Sequence, residues 1–461
     1  MKRVKCIVAA LLELLVILAG CGKAAIPATE TTAGVEEQKS SSEEVTEAAQ
    51  ESTAEAESRE ETSAAETTEE TTEGSTAAEE RNIVIPELTI QEKEVPDTEA
   101  MRFVRALGVG FNAGNTFDAY IDGQKLEDDT VTETAWIPEK LTKETIQAYH
   151  EAGFTSVRIP VSWHNHVSED YTISEAWLNR VQEAVDWAID DGMYVILNIH
   201  HDNHPEANAF YPDSAHLEQS KNYVKAIWEQ LAARFGGYDE HLIFEGLNEP
   251  RLVGTDVEWS VRKGDAASED AVACINELNQ LFVDTVRASG GNNETRYLMV
   301  PGYAASPDGV LTSGFSIPED PADPTGEQHR IILEVHAYTP YDFALKPGGG
   351  SLFQVKLEVC TRDINAFMDR LYKTYVSKGV PVVIDEFGAV SRLNKEGELN
   401  VQDRVEYSAY YTAYARAHGM SCFVWDNGAA EGDGELFGLY SRSGKYFIFP
   451  EIVEALVKYG K

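Results

Sequence analysis

Short apolar runs rich in β-branched residues alternate with longer stretches of helical periodicity throughout residues 103–459. Eight of these runs are predicted to be strands: 108–112, 155–160, 194–200, 242–248, 296–301, 331–336, 380–386 and 421–425. The runs have no polar face, which is typical of parallel strands buried on both sides by helices. Eight such strands, over roughly 360 residues, predict an α/β fold with a single (β/α)8 TIM barrel.

Seven helical stretches lie between or after the strands, at 143–151, 175–190, 217–235, 270–289, 362–378, 401–418 and 450–458. A doubly wound open sheet is the structural alternative, because it also alternates strands with helices. That fold requires a glycine-rich phosphate-binding turn after an early strand. The sequence contains no such turn, so the closed barrel is favoured.

Residues 1–21 are predicted to be a signal peptide. A basic start is followed by a mostly apolar run to Leu18 and then by Ala-Gly-Cys21. This order is that of a secretory signal, and the apolar run is short for a membrane span. The ending resembles the bacterial lipoprotein signal, in which the cysteine is lipidated and becomes the mature N-terminus. We therefore expect Cys21 to be a lipid anchor, with an ordinary cleaved signal as the alternative.

Residues 22–82 are predicted to be a disordered tether. The stretch 22–80 contains no Phe, Trp or Tyr, and it has 17 Glu against three basic residues. Such a segment buries too little apolar surface to offset its chain entropy, and its like charges keep it extended. The catalytic domain is then predicted to comprise residues 83–461.

Charge and cysteine usage exclude several classes of protein. The chain has 78 acidic and 38 basic residues, a formal net charge of -40. An anionic surface repels nucleic acid, whereas a neutral polysaccharide is unaffected by it. The three cysteines after Cys21 are Cys274, Cys360 and Cys422, and they have neither zinc-site spacing nor the even number of a disulfide framework. We expect them to be buried small apolar residues.

Two of the predicted strands lead into a glutamate. Strand four continues into Asn248-Glu249-Pro250, and strand seven runs into Asp385-Glu386. Catalytic groups of a (β/α)8 barrel stand at the C-terminal ends of the strands. A single glutamate in such a place is more often a structural acid. Two of them, on non-adjacent strands, predict a catalytic pair.

Seven motifs together resemble glycoside hydrolase family 5, in the order found in that family. They are Gly-Phe-Asn-Ala-Gly-Asn-Thr-Phe-Asp-Ala (110–119), Glu-Thr-Ala-Trp (133–136), Gly-Phe-Thr-Ser-Val-Arg-Ile-Pro-Val-Ser-Trp (153–163), Ile-His-His-Asp-Asn (199–203), Leu-Ile-Phe-Glu-Gly-Leu-Asn-Glu-Pro-Arg (242–251), Val-His-Ala-Tyr (335–338) and Phe-Val-Trp-Asp-Asn (423–427). The set is most similar to the subfamily of broad-specificity endo-β-1,4-glucanases (subfamily 4), whose members include enzymes acting on xyloglucan and mixed-linkage glucan. The resemblance covers residues 103–459.

The resemblance implies hydrolysis with retention by two carboxyl groups roughly 5 Å apart. Glu249 would be the acid/base, with a raised pKa, and Glu386 the nucleophile, which must stay ionised. Asn248 would hold the sugar 2-hydroxyl. Arg158, at the end of strand two, is the cation expected to favour ionised Glu386.

Further substrate-binding and supporting roles follow from the same resemblance. They are assigned to His200, His201, His336, Tyr338, Trp425, Asn115 and Trp136. His336 and Tyr338 are expected to hydrogen-bond the nucleophile, and the His200–His201 pair to bind sugar hydroxyls. Trp425 would offer a flat apolar face to a pyranose ring.

Structural alternatives remain open for several of these residues. Arg158 is also compatible with a salt bridge inside the barrel. Trp425 is also compatible with packing of the barrel mouth. His200 and His201 are also compatible with a metal site, although a metal-dependent barrel hydrolase needs a His-x-His motif on strand one, which here ends in Phe-Asn-Ala.

The sequence therefore predicts a retaining endo-β-1,4-glucanase with no organic cofactor and no metal. Its partner would be a β-glucan polysaccharide, and it would be a monomer that touches the membrane only through its lipid anchor. We expect it on the outer face of a bacterial cell membrane or secreted. Alternatives of the same fold are a xyloglucanase, a lichenase or a mannanase. A catalytically inactive glycan-binding protein is the other alternative, against which the presence of both Glu249 and Glu386 argues.

Overall fold

Eight parallel strands close into a barrel in the computed structural model of the chain, in sequence order, with β1 hydrogen-bonded to β8. The strands are β1 Val109–Ala113, β2 Ser156–Ile159, β3 Tyr194–Asn198, β4 Leu242–Glu245, β5 Leu298–Pro301, β6 Ile331–His336, β7 Val382–Phe387 and β8 Ser421–Asp426. The structure describes residues 82–123, 130–204 and 208–461. The predicted barrel is confirmed, whereas the predicted signal peptide, its Cys21 and nearly all of the predicted tether lie outside the described residues.

Strand β4 is shorter than predicted. It ends at Glu245, and Glu249 lies in the loop that follows. The loop still bonds to its neighbours, since the Gly246 N–H donates to Met299 O and the Asn248 N–H donates to Ile199 O, each at 2.9 Å. These two bonds hold the loop against β5 and the end of β3, so Glu249 is positioned although it is not part of the strand.

Helices cover the outside of the barrel. They are α1 Glu99–Leu107, α2 Lys143–Ala152, α3 Glu175–Asp190, α4 Leu217–Arg234, α5 Ala266–Ala288, α6 Pro307–Leu311, α7 Tyr341–Ala344, α8 Glu358–Thr374, α9 Val401–Ala417 and α10 Pro450–Gly460. The seven predicted helices are confirmed, with ends that differ by a few residues. Helices α1, α6 and α7 were not predicted, nor was a small antiparallel hairpin of β9 Tyr440–Ser441 and β10 Tyr446–Phe447. In the described part of the chain, no helix is both long and apolar enough to cross a bilayer.

The barrel interior is built in layers. The apolar layer consists of Ile196, Ile243, Met299, Ile332, Val383 and Phe423, which pack with helix α1. Successive side chains alternate between the two faces of a strand, so the inward position recurs every two residues. At the next inward positions stands a polar layer, defined here as Asn112, Arg158, Asn198, Glu245, Glu334 and Asp385. All six of its side chains are fully buried. The polar layer lies nearer the C-terminal ends of the strands, directly beneath the barrel mouth.

The three cysteines after Cys21 are free and buried. The side chains of Cys274 and Cys422 are 2% exposed, and that of Cys360 is 8% exposed. The prediction that they are buried small apolar residues is confirmed.

Arg296 provides a test of how the barrel is held together below the mouth. Its buried guanidinium donates to four backbone carbonyl oxygens and to the side chain of Asn293, and so fixes the segment before β4. A lysine cannot replace this planar set of donors. We expect Arg296→Lys to lower the free energy of unfolding by about 3 kcal/mol in guanidinium chloride titrations. The exposed Arg362→Lys is the matched control, and an equal effect of the two changes would contradict this account.

Candidate active site

The guanidinium of Arg158 connects four strands at the barrel mouth. Its Nε and Nη2 donate to the two carboxylate oxygens of Glu245, each at 2.6 Å. Its Nη1 donates to Glu386 Oε1 at 2.6 Å and to Asn112 Oδ1 at 2.9 Å, and its Nη2 also donates to Asn248 Oδ1 at 2.7 Å. Burial disfavours the charged form, but the carboxylates of Glu245 and Glu386 hold the pKa of Arg158 well above its ordinary value. The expected contact between Arg158 and Glu386 is therefore present. Arg158 also forms a structural ion pair with Glu245 inside the barrel.

Glu245 was missed by the sequence analysis, although it binds Arg158 through both oxygens. It also accepts a hydrogen bond from Asn198 Nδ2 at 2.8 Å. Its position inside an apolar strand was the available signal, because a buried carboxylate needs a cationic or hydrogen-bonding partner. Glu245 and Arg158 form the bidentate geometry that fixes a guanidinium plane.

The two predicted catalytic glutamates lie side by side. An oxygen of Glu249, an oxygen of Glu386 and a ring nitrogen of His336 are all within 4.8 Å of one another. Tyr338 Oη donates to Glu386 Oε2 at 3.0 Å, as expected. His336 Nδ1 lies 2.9 Å from Glu249 Oε1 and 3.5 Å from Glu386 Oε2. His336 therefore hydrogen-bonds Glu249 rather than the expected nucleophile.

The surroundings of Glu249 favour its ionised form. Burial raises its pKa, but the hydrogen bond from His336 and the charge of Arg251 outweigh burial and lower the pKa to about 2. The prediction of a raised pKa is therefore wrong for the site as it is arranged here. Burial raises the pKa of Glu386 above its ordinary value, and the charges of His336 and Arg158 oppose that shift only in part. The predicted contact with Arg158 is therefore present, but in this arrangement it does not bring the pKa of Glu386 below its ordinary value. Burial alone would lower the pKa of His336, but Glu386 and Asp385 raise it to about 10, so its imidazole is charged at neutral pH.

His200, His201 and Trp425 lie together on one side of the site. The rings of His200 and Trp425 are almost parallel, with centroids 6.0 Å apart. Trp425 is only 8% exposed and packs against Val390 and Phe437, so packing of the mouth accounts for most of its surface. His201 Nε2 is 4.0 Å from an oxygen of Asp118, and its side chain is 29% exposed.

Aromatic side chains form the rim of the mouth. Trp136 is 40% exposed and lies 5.3 Å from Tyr120 and 5.4 Å from His201, measured between ring centroids. Asn115 has left-handed backbone geometry with φ 54°, and its N–H donates to Asp118. The structure thus assigns Asn115 a turn-forming contact, whereas Trp136 presents an accessible ring.

A second exposed aromatic, Trp259, was missed. Its ring is 60% exposed and lies 4.0 Å from the guanidinium carbon of Arg251, a cation–π contact. Arg251 Nη1 is in turn 3.3 Å from Glu249 Oε2. Arg251 directly follows the Asn-Glu-Pro motif in the sequence, whereas the position of Trp259 depends on the path of the loop after β4. The chain Trp259–Arg251–Glu249 connects an accessible ring to the predicted acid/base.

Three groups of side chains are close enough to surround a metal ion among the described residues. They are Asp118, His200 and His201; Glu249, His336 and Glu386; and Glu334, His336 and Asp385. In the first group, both oxygens of Asp118 already accept backbone N–H groups. In the second, Arg158 and Tyr338 already bind Glu386. Proximity alone therefore does not identify a metal site in either.

Comparisons with known proteins agree on one family. The family model described as cellulase (glycosyl hydrolase family 5) matches residues 121–431. The chain is 41% identical over 367 residues to Endoglucanase 1 of Ruminococcus albus, which covers 79% of this chain and 82% of that protein.

Solved structures give the same result. A family 5 lichenase from a Caldicellulosiruptor species has 50% identity and a TM-score of 0.78, covering 82% of this chain and 100% of that one. A subfamily 4 broad-specificity endoglucanase from Ruminococcus champanellensis with bound cellotriose has 39% identity and a TM-score of 0.70, covering 79% of this chain and 100% of that one.

His201 makes a pH-dependent contribution to stability. Burial and the charge of Arg251 lower its pKa from 6.5 to about 4. The unfolded chain therefore takes up a proton at His201 before the folded protein does as the pH falls from 6.5 to 4, and stability is lost over that window. We expect the free energy of unfolding to fall less between pH 7 and pH 4.5 in His201→Gln than in the wild type. Exposed His150→Gln is the control, and the idea fails if the two variants respond alike.

Proposed function

Because the chain belongs to glycoside hydrolase family 5, we propose that it is an endo-acting β-1,4-glucanase that hydrolyses its substrate with retention of configuration. The observation that carries the mechanism is the closeness of Glu249 and Glu386, which have oxygens within 4.8 Å of each other. Retaining enzymes place their two carboxyl groups about 5 Å apart, whereas inverting enzymes need at least about 6.5 Å to admit a water molecule. The geometry supports direct attack by a carboxylate.

In the first step, we assign the nucleophile to Glu386. A carboxylate oxygen of Glu386 bonds to the anomeric carbon as the glycosidic C–O bond breaks, and Glu249 gives its proton to the leaving oxygen. Arg158 and Tyr338 each hold one oxygen of Glu386, at 2.6 and 3.0 Å, which orients the group for attack. Hydrolysis of the resulting ester then requires Glu249 to take a proton from water.

The two steps require opposite protonation states of Glu249. Its low pKa suits the second step, in which it acts as a base. Ionised Glu386 repels ionised Glu249, and formation of the ester removes that repulsion, which favours the base form at the right moment. For the first step, we infer that bound glycan displaces water from Glu249 and raises its pKa, because loss of water disfavours the charged form.

β-1,4-Glucans, including mixed-linkage glucan, are the proposed substrates. The relatives are named endoglucanases and a lichenase, and one related structure contains cellotriose. The exposed rings of Trp136 and Trp259 support this proposal, since a flat ring binds the apolar face of a pyranose. After unmixed β-1,4-glucan, mixed-linkage glucan is the second candidate substrate, because one relative is named a lichenase. Xyloglucan and mannan are the remaining alternatives.

We also propose that the protein is a lipoprotein, with its barrel attached to the extracellular face of a bacterial cell membrane by residues 22–82. The Leu-Ala-Gly-Cys21 sequence and the acidic composition of the following residues support this organisation. The barrel itself would then act as a monomer on extracellular polysaccharide.

Substitution of either glutamate tests the mechanism. We expect Glu386→Gln to lower kcat on barley mixed-linkage β-glucan by several powers of ten, because no other group can form the glycosyl ester. We expect Glu249→Gln to lower it by about 10²- to 10⁴-fold, the usual contribution of a general acid. Reducing-sugar release is measured on mixed-linkage glucan, carboxymethylcellulose, xyloglucan and β-mannan.

The same assay separates an enzyme from a glycan-binding protein. Wild-type protein that binds one of these glucans but releases no sugar from any of them would overturn the proposed activity. Nuclear magnetic resonance of the first product gives the stereochemistry, and an initial α-anomer would exclude a retaining mechanism. Asp323→Asn changes a buried carboxylate that caps a loop before β6, at the opposite end of the barrel, and should keep wild-type kcat.

The lipid anchor has its own test. We expect Cys21→Ser to move the protein from the membrane fraction to the soluble fraction of a bacterial host, because an unmodified serine carries no acyl chain. The change of a later cysteine, Cys274→Ser, is the control and should leave the distribution unaltered. An unchanged distribution of Cys21→Ser would contradict the proposed anchor.

A further inference from the structure

Two fully buried carboxyl groups beneath the active site have no hydrogen-bond partner among the described residues. They belong to Glu334 on β6 and Asp385 on β7, and none of their four oxygens accepts a hydrogen bond, although Asp385 lies at ion-pair distance from Arg158 and His336. Nε2 of His336, which is 6% exposed, is also unpartnered. A buried polar group without a partner is costly, so such groups are retained where they serve the site above them.

His336 lies between this carboxyl pair and the proposed acid/base. Its Nδ1 is 2.9 Å from Glu249 Oε1, and its Nε2 is 3.6 Å from Asp385 Oδ1. Glu334 belongs to the same group, since ligand atoms of Glu334, His336 and Asp385 lie within 4.8 Å of one another. The imidazole therefore has one carboxyl group on each side.

The charges around His336 determine how its ring is protonated. The titratable groups that face it are Glu249 from the loop after β4, Glu334 on β6, Asp385 and Glu386 on β7, and His200 after β3. Arg158 on β2 pairs with Asp385, and the charge of Glu245 on β4 acts on Glu334. With its pKa raised to about 10, His336 carries hydrogen on both ring nitrogens. Burial and the neighbouring carboxylates raise the pKa of Glu334 well above its ordinary value, which favours its neutral form.

We propose that Asp385, supported by Glu334, is a positioning residue that holds the His336 imidazole with its Nδ1–H directed at Glu249. This inference rests on the proposed role of Glu249 as the acid/base. Without Asp385, only Glu249 and the more distant Glu386 oxygen would orient the ring. Its hydrogen bond to Glu249 would then be less well aligned. Loss of this bond removes one cause of the low pKa of Glu249, but it also leaves the carboxyl group poorly oriented, and we expect the loss of orientation to dominate and to slow proton transfer to the leaving group.

A metal ion is the competing explanation for this pair. It would need a bare Nε2 on His336 as a ligand. Against it, the Nε atom of Arg158 is 3.4 Å from Asp385 Oδ2, so a positive charge already stands beside this carboxylate. A second cation there would be repelled by Arg158 and by the imidazolium. The geometry favours a histidine held by a carboxylate.

Leaving-group dependence distinguishes a positioning role from a structural one. Phenyl β-cellobioside needs protonation of its leaving oxygen, whereas 2,4-dinitrophenyl β-cellobioside has an acidic leaving group that departs without it. For Asp385→Asn we expect kcat/KM on the phenyl substrate to fall at least about tenfold and kcat/KM on the dinitrophenyl substrate to change less than about threefold. Glu334→Gln should give a smaller change in the same direction. Both variants are made in the full chain, and their folding is checked by circular dichroism.

Other results of the leaving-group experiment would contradict the positioning role or the proposed activity. Equal losses on both substrates, or no loss on either, overturn the positioning role and leave the proposed activity standing. A wild-type protein that hydrolyses neither cellobioside and no glucan refutes the proposed activity itself. A metal ion found at one per chain by mass spectrometry, and lost in Asp385→Asn but kept in Asp323→Asn, replaces the positioning role by a cation site. If Asp385→Asn does not fold, the result for Glu334→Gln decides, and wild-type behaviour there counts against the proposal.

Discussion

The buried guanidinium of Arg158 is the contact on which the site depends. It binds both oxygens of Glu245 and one oxygen of Glu386, and its charge is compensated only while both stay in place. Loss of a partner would leave an unpaired ion inside the barrel, which is more costly than the pair itself is favourable. Arg158 lies on β2, Glu245 on β4 and Glu386 on β7. The two ion pairs of Arg158 therefore also fix the spacing of strands that are not neighbours in the barrel.

A second cation completes the arrangement. His336 stands nearer the mouth than Arg158 and has Glu249 on one side and Asp385 on the other. The two cations face five carboxyl groups: those of Glu245, Glu334, Asp385 and Glu386, which are buried, and that of Glu249, which is partly exposed. Even with Arg251 beside Glu249, carboxyl groups outnumber cations here, which favours the protonated form of some of them. The proposed acid and nucleophile are members of this larger titrating set rather than an isolated pair.

Much of the fold and the centre of the site could be predicted from the sequence. Uninterrupted apolar runs identify strands buried on both sides, and their order is enough to place Glu249 and Glu386 at one end of a barrel. Glu334 and Asp385 could not be assigned a role, because which strand face points inward depends on closure of the barrel. The pKa of Glu249 depends on Arg251 and His336, which are distant from each other in sequence. The role of Trp259 at the rim could not be predicted either, because its position depends on the path of the loop after β4.

The apolar layer under the polar layer has an electrostatic consequence. Ile196, Ile243, Ile332 and Val383 fill the barrel below the carboxylates, so that side has a low polarisability, and the side chains of this layer carry no charge to screen them. Field lines from the carboxylates are therefore concentrated toward the open mouth. The sugar carbon that gains positive charge during glycoside cleavage would lie at that mouth. The lower half of the barrel thus acts as an insulator that directs a negative potential at a developing cation.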